Sequence, residues 1–281
     1  MLRLGEMTVT PLVEGDFALD GGALFGAVPR PLWERRFPPD ERNRVNLVTR
    51  AMLVSGCGRH LLVDPGIGER WDGKSRAIYG LHHADGGLEG ALERAGLTRA
   101  DITDVVLSHL HFDVAGALTR EEAGQARLAF PRATVHLQRR HWKWAHHPSE
   151  KDRGSFRHPD FALLERSGQL HLLEGATELY PGVHLVVSEG HTVGMQLVRL
   201  EQAGQTLMFC GDLIPTTAHL HAPWVPAFDL YPLTSIEEKR QLLAQAVEEG
   251  WRLFFTRDPA LAACTVKDDG AGQVVVDAVL A

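Results

Sequence analysis

The sequence predicts an α+β fold, a four-layer sandwich in which two mixed β-sheets lie face to face with helices on the outside. Three observations predict it. Short apolar, β-branched runs fall into two blocks, one within residues 45–137 and one within 170–209. Helical spacing of apolar residues appears between and after them, at 87–95 and 235–249. No repeat of fixed period is present. The chain has 281 residues, 44% of them hydrophobic and 23% charged, the balance of an ordinary globular protein. We read it as a single domain, 1–281, long enough to bury its core without a disulfide or a structural metal.

Met7–Val13 alternates and predicts a first strand. Residues 17–39 carry Gly21, Gly22, Gly26 and four prolines, with little helix or strand signal; a loop this long is usually functional or mobile. Its Leu24, Phe25 and Trp33 either roof a substrate pocket or pack the loop down. Val45–Val54 and His60–Val63 predict paired strands around the turn at 55–58. Asp64 then either forms the turn before Pro65 or orients a ligating imidazole. Gly87–Ala95 predicts a helix stopped by Gly96, and 102–107 a buried strand.

Ala133–Leu137 reads as a strand with a structural His136. Gln138–His147 reads as a helix with a solvated face and two tryptophans turned to the core. Lys151–Phe161 is polar and predicts a loop. Five close-spaced strands follow: 170–173, 177–180, 184–188, 195–201 and 205–209. In 213–231, His219 and His221 read as surface residues, or as groups that touch substrate or supply a substitute ligand. Ser235–Glu249 predicts a helix capped by Ser235, with Glu238 completing a capping box and Gly250 as the stop. Trp251–Phe255 and Val274–Val276 close the set of strands.

Chemistry concentrates at strand ends. Ser-His-Leu-His-Phe-Asp at 108–113 follows the buried strand, so His109, His111 and Asp113 emerge at its C-terminal end. Alternate residues of an extended segment point the same way and can converge. Gly190-His191 follows a second strand, and Gly211-Asp212 a third. Imidazole and carboxylate are ligands that zinc accepts. One such pair in a chain with 15 histidines is weak evidence; three strand ends each bearing a ligand-type residue are a much more specific signal.

These residues resemble those of the metallo-β-lactamase-fold hydrolases, and within them the lactonase-like branch. The family pattern is His-x-His-x-Asp-His, then Gly-His, then Gly-Asp, then a late His. The chain matches it at His109, His111, Asp113, His191 and Asp212. The resemblance runs from 62–66 to 254–259 and includes 20–26 and 229–233. Val114, Met195 and Arg257 stand where the family often has further histidines. Two of those, at 114 and 257, belong in the family to a second metal site. The resemblance therefore implies one intact site, with His109, His111 and His191 as ligands and Asp212 as a fourth ligand or a base, and a dismantled second.

The implied cofactor is a single zinc ion, with iron or manganese as alternatives. Such an ion lowers the pKa of water towards ~7 and polarises a carbonyl. Asp113 is the first choice of general base. Arg257 cannot ligate and is expected to replace the second ion electrostatically, holding Asp113 and Asp212 or binding a substrate oxygen. The predicted function is a mononuclear metal-dependent hydrolase acting on a lactone or related ester. Two other readings stand beside it: a degenerate relative that binds a ligand without turnover, and a mononuclear iron site with oxygen chemistry. A formal charge of −7 argues against nucleic-acid or anionic-membrane partners and leaves a small molecule. Three distant cysteines and no signal-like or membrane-spanning run predict a reducing cytoplasm. The sequence does not address oligomeric state.

Overall fold

Alternation along the strands divides the apolar residues between two faces, and that division builds the layers. The structure, a computed structural model, describes residues 1–280. Its first sheet runs Leu2–Leu4, Met7–Asp20, Arg44–Gly56, Arg59–Val63, Asp104–Val106, Thr134–Gln138, Leu170–Leu173, with His82–His83 beside Met7–Asp20. Its first four strands pair antiparallel and its last three add parallel. The second sheet runs Thr177–Tyr180, Val183–Ser188, Met195–Gln202, Gln205–Phe209, Arg252–Phe254, Ala263–Asp268, Val274–Leu280. Only Gln205–Phe209 and Arg252–Phe254 pair parallel there, joined through the helix Pro232–Glu249.

Leu61, Val63, Val106 and Met52 face the second sheet and meet Val198, Leu207, Phe209 and Phe254. Their neighbours Leu62, Val105 and Leu53 face outward beneath the helix Gly87–Arg94. On the far side Leu197, Met208 and Leu253 pack under Leu242, Leu243 and Ala246 of Pro232–Glu249. Helix, sheet, sheet, helix is the predicted four-layer order.

Several local expectations give way to the structure. The first strand does not stop at Val13 but continues to Asp20, curving at a register shift between Val13 and Gly15. Gly15 is required there, because a Cβ would sit 2.2 Å from His82 O. Residues 21–33 are not loop but two short helices, Gly21–Phe25, capped by Asp20, and Arg30–Trp33. Ser235 does not cap its helix. Pro232 starts it a turn earlier, and the Ser235 hydroxyl and Glu238 carboxylate bond to Asp229 and to the 188–189 turn. Lys151–Phe161 contains helical turns at Arg153–Ser155 and His158–Phe161. The strand Ala263–Asp268 and the hairpin Thr119–Glu122 with Gln125–Leu128 had no clear sequence signal.

Phe209 and Phe254 stack with centroids 5.8 Å apart at the centre of the inter-sheet layer, and both are fully buried. Phe209→Ala is expected to cost about 3–5 kcal/mol of stability in chemical denaturation, as a large cavity opens between rigid sheets.

Candidate metal centre

Four strand ends deliver the candidate residues to one edge of the sandwich. His109 and His111 follow Asp104–Val106, His191 follows Val183–Ser188, Asp212 follows Gln205–Phe209, and Arg257 follows Arg252–Phe254. His109, His111 and His191 are buried, and each offers a ring nitrogen within 4.8 Å of the others. Asp212 Oδ2 lies 3.5 Å from His109 Nε2 and 3.7 Å from His191 Nε2.

The hydrogen bonds behind the rings assign their protons. Ser108 donates its hydroxyl proton to Asp64 Oδ2, so its oxygen accepts from His109 Nδ1–H at 2.8 Å. His191 Nδ1–H donates to Asp229 Oδ1 at 2.8 Å. Both Nε2 atoms are then lone-pair donors aimed into the cluster. His191 Nε2 faces His111 Nδ1 at 3.2 Å, and His109 Nε2 is buried without a partner. Burial, then neighbouring imidazoles, hold His109 and His111 well below the ordinary histidine range and keep them neutral. Burial opposes a charge on His191 as well, but the bond to Asp229 outweighs it and raises that group. A buried lone pair left without a donor, as at His109 Nε2, is costly unless a cation meets it. The donor set thus fits a metal ion, and the remote N–H groups of His109 and His191 are anchored as in metal-ligating histidines.

Two of these supports, His141 and Asp229, escaped the sequence reading, and a third, Asp64, was one of two alternatives in it. His141, expected on a solvated face, is fully buried: its Nδ1–H donates to Val193 O and its Nε2 accepts from Leu110 N–H. It ties the 109–111 turn to the 191–193 turn. Only its position at the start of a helix beside a strand end hinted at this. Asp229 lies 38 residues from His191 and had no local signal. Asp64 does orient an imidazole, but through Ser108, and it sits in the left-handed region at φ 49° to do so. Burial pushes its carboxyl up to about 7. Gly190 lets the turn close against Ser235, whose hydroxyl would lie 2.3 Å from an added Cβ.

Arg257 points into the site. Its Nη2 is 2.7 Å from Asp113 Oδ2 and its Nε 3.4 Å from Asp212 Oδ1. Asp113 is therefore not freed by the missing histidine; the guanidinium occupies it. No N–H of Nη2 lines up with a hydrogen-bond acceptor, so the close contact is electrostatic and leaves Nη2 with hydrogen-bonding capacity. Burial disfavours the guanidinium charge, yet the three carboxylates of Asp113, Asp212 and Asp64 hold it firmly protonated. Val114 and Met195 point into the cores and take no part.

A pocket of about 270 Å³ opens on this cluster. His111, Asp113, His191, Asp212 and Arg257 form its floor, and Leu19, Leu24, Leu47, Pro226 and Phe228 its walls. Phe25 and Trp33 do not line it; they stack beneath, with centroids 5.2 Å apart, and hold Leu24 in place. His219, expected at the surface, is buried against Phe25 and bonds to Thr216 and Leu24 O. His221 stacks on Trp224 away from the floor. A wider groove of about 530 Å³, bordered by Arg36, His221 and Val274, contains none of the floor residues.

The family model of the metallo-beta-lactamase superfamily matches residues 45–257. Among curated relatives, the N-acyl homoserine lactonase AttM of Azorhizobium caulinodans is 28% identical over 198 residues, 67% of this chain and 70% of that protein. A crystal structure from Staphylococcus aureus, described as a "probable metal-dependent hydrolase", superposes with a TM-score of 0.89 at 29% identity over 100% of both chains. AidC, a dizinc quorum-quenching lactonase, superposes with a TM-score of 0.80 over 100% of this chain and 97% of its own. At 20% identity that likeness is one of fold. No helix among the described residues is long and apolar enough to cross a membrane.

The pocket wall carries a titratable support. Lys239 is buried, and its Nζ donates to His221 O and Trp224 O, two bonds that a neutral amine can make. Burial, opposed only by Asp229, brings it down to about 7 from the ordinary 10.5. The unfolded chain then binds one more proton than the native one between those values, so Lys239 makes stability rise with pH across about 7 to 10.5. Denaturation of wild type and Lys239→Met over that range should show the rise in the wild type and its loss in the variant.

Proposed function

The chain belongs to the metallo-beta-lactamase superfamily and is a metal-dependent hydrolase, and from that premise we propose that it opens a lactone or related ester at a single zinc ion. The observation that carries this reading is the pocket itself. Its walls are apolar while its floor gathers two imidazoles, with His109 buried directly behind them, two carboxylates and one incompletely bonded guanidinium. A small ester with an apolar substituent matches that division. The relatives named N-acyl homoserine lactonases support the lactone.

His109, His111 and His191 would hold the ion, leaving Asp212 beside it as the base. When bound, the ion acidifies water and polarises a carbonyl oxygen. The chain's residues do the rest. Asp212 Oδ2, at the open side of the imidazoles, accepts the proton of the attacking water. Water oxygen bonds to the carbonyl carbon, the ring C–O bond breaks, and the proton passes to the leaving oxygen, giving a hydroxy acid. Arg257 Nη2, which keeps hydrogen-bonding capacity beside Asp113 Oδ2, binds the substrate oxygen on which charge develops, while Nη1 donates to the Asp113 backbone O. Asp113, expected as the base, is better suited to orient Arg257, because that contact engages Oδ2 at 2.7 Å.

A second cation is excluded from the space between Asp113 and Asp212 because a permanent positive charge already lies there. The catalytic reading is preferred to a degenerate binder, since every proposed ligand keeps its supporting hydrogen bond or its place in the cluster. Ring opening across a panel of lactones, followed by acid release, tests the proposal. His109→Ala and His191→Ala should abolish turnover together with the ion held by this cluster. Arg257→Ala should lower kcat by about 10²–10³-fold with the metal retained, the scale of a lost oxyanion donor. Turnover that survives either histidine substitution would remove the reaction from this site.

A further inference from the structure

We propose a second, surface metal site formed by His146, His158 and Glu165, distinct from the catalytic cluster and selective for a first-row divalent cation such as zinc. These residues come from three neighbouring elements: the end of the helix Arg139–His146, the start of His158–Phe161, and the turn Ala162–Arg166. Each offers a ligand atom within 4.8 Å of the other two. The set is two imidazoles and a carboxylate, which zinc and its neighbours accept.

The hydrogen bonding of His146 gives the argument its weight. Its Nδ1–H donates to Trp142 O at 2.8 Å. This bond fixes the ring plane and leaves Nε2 as the lone-pair atom, the arrangement found behind ligating imidazoles. That Nε2 faces Glu165 Oε1 at 2.9 Å. Two acceptors at this distance need either an added proton or a cation between them. Tetrahedral bonds of ~2.0–2.1 Å place ligand atoms roughly 3.3–3.4 Å apart, so a cation needs the pair to open by only a few tenths of an ångström. The His158 ring stands at 88° to the His146 ring with centroids 5.8 Å apart, and Phe161 contacts both, forming an apolar floor. His158 and Glu165 are exposed, so ions reach the site and water completes the coordination.

Such a cation would clip residues 158–165 to the helix that carries His141. Phe156, just before the clipped segment, packs on His111 with centroids 4.8 Å apart. The clip therefore stiffens the wall behind the catalytic imidazoles while contributing no atom to them.

Zinc titration of the full chain against a competing chelator dye tests this. Wild type should bind two ions, the second exchanging more readily. His158→Ala and Glu165→Ala, both surface changes checked for folding by circular dichroism, should each bind one. His191→Ala should lose the catalytic ion and keep the surface one, with a zinc-dependent rise in Tm that vanishes in His158→Ala/His191→Ala. Saturation of wild type at one ion, or a second ion retained in either surface variant, would overturn the proposal.

Discussion

A guanidinium held between two buried carboxylates is the contact on which the rest of this site's structure depends. Arg257 touches Asp113 and Asp212, and all three are buried. Removing three charges from water is costly, and mutual attraction offsets the cost only when the geometry is held rigidly. The chain supplies that rigidity from below. Arg50 donates to Phe255 O, Leu261 O and Asp258 O, pinning the turn that bears Arg257. Asp258 in turn accepts from Thr217 and Ala260. Arg257 N–H bonds to Pro215 O, beyond Asp212, so the guanidinium and its carboxylate partner belong to one locked unit.

The imidazole cluster is built on the same plan, with His109 and His111 from the first sheet and His191 from the second. Asp64, Ser108 and His109 form one chain of hydrogen bonds, and Ser235, Asp229 and His191 another. Each ends on a ring nitrogen facing away from the cluster, which leaves the opposite nitrogen with a lone pair directed into it. His141 joins the two ligand-bearing turns through their backbones. The sandwich matters here because it brings ends of strands from two sheets to one edge. No single element could converge four such groups.

Much of this was legible in the chain, for physical reasons that also mark the limits. Strands carrying His109, His191, Asp212 and Arg257 were legible because buried β-branched runs end abruptly in Gly, His and Asp. The two-sheet architecture followed from those runs and the helices between them. The supports were not legible. Asp229 reaches His191 across 38 residues, and His141 reaches Leu110 across 31, so neither leaves a local pattern. Ser235 looked like a cap because it stands three residues before Glu238, yet Pro232 had already begun the helix. Residues 21–33 looked irregular because glycine and proline lower helix propensity; burial of Phe25 and Trp33 overrides it. Asp113 looked free to act as a base because Val114 replaces an imidazole; Arg257 was expected to hold Asp113 and Asp212 or to bind a substrate oxygen, and the fold places it on both carboxylates.

The central claim is that a fixed positive charge stands where a second cation would otherwise sit. Anomalous diffraction at the zinc edge, from crystals grown in excess zinc, locates every ion directly. The account predicts one peak among His109, His111 and His191 and none between Asp113 and Asp212. A peak between those two carboxylates, with Arg257 displaced from them, would contradict it.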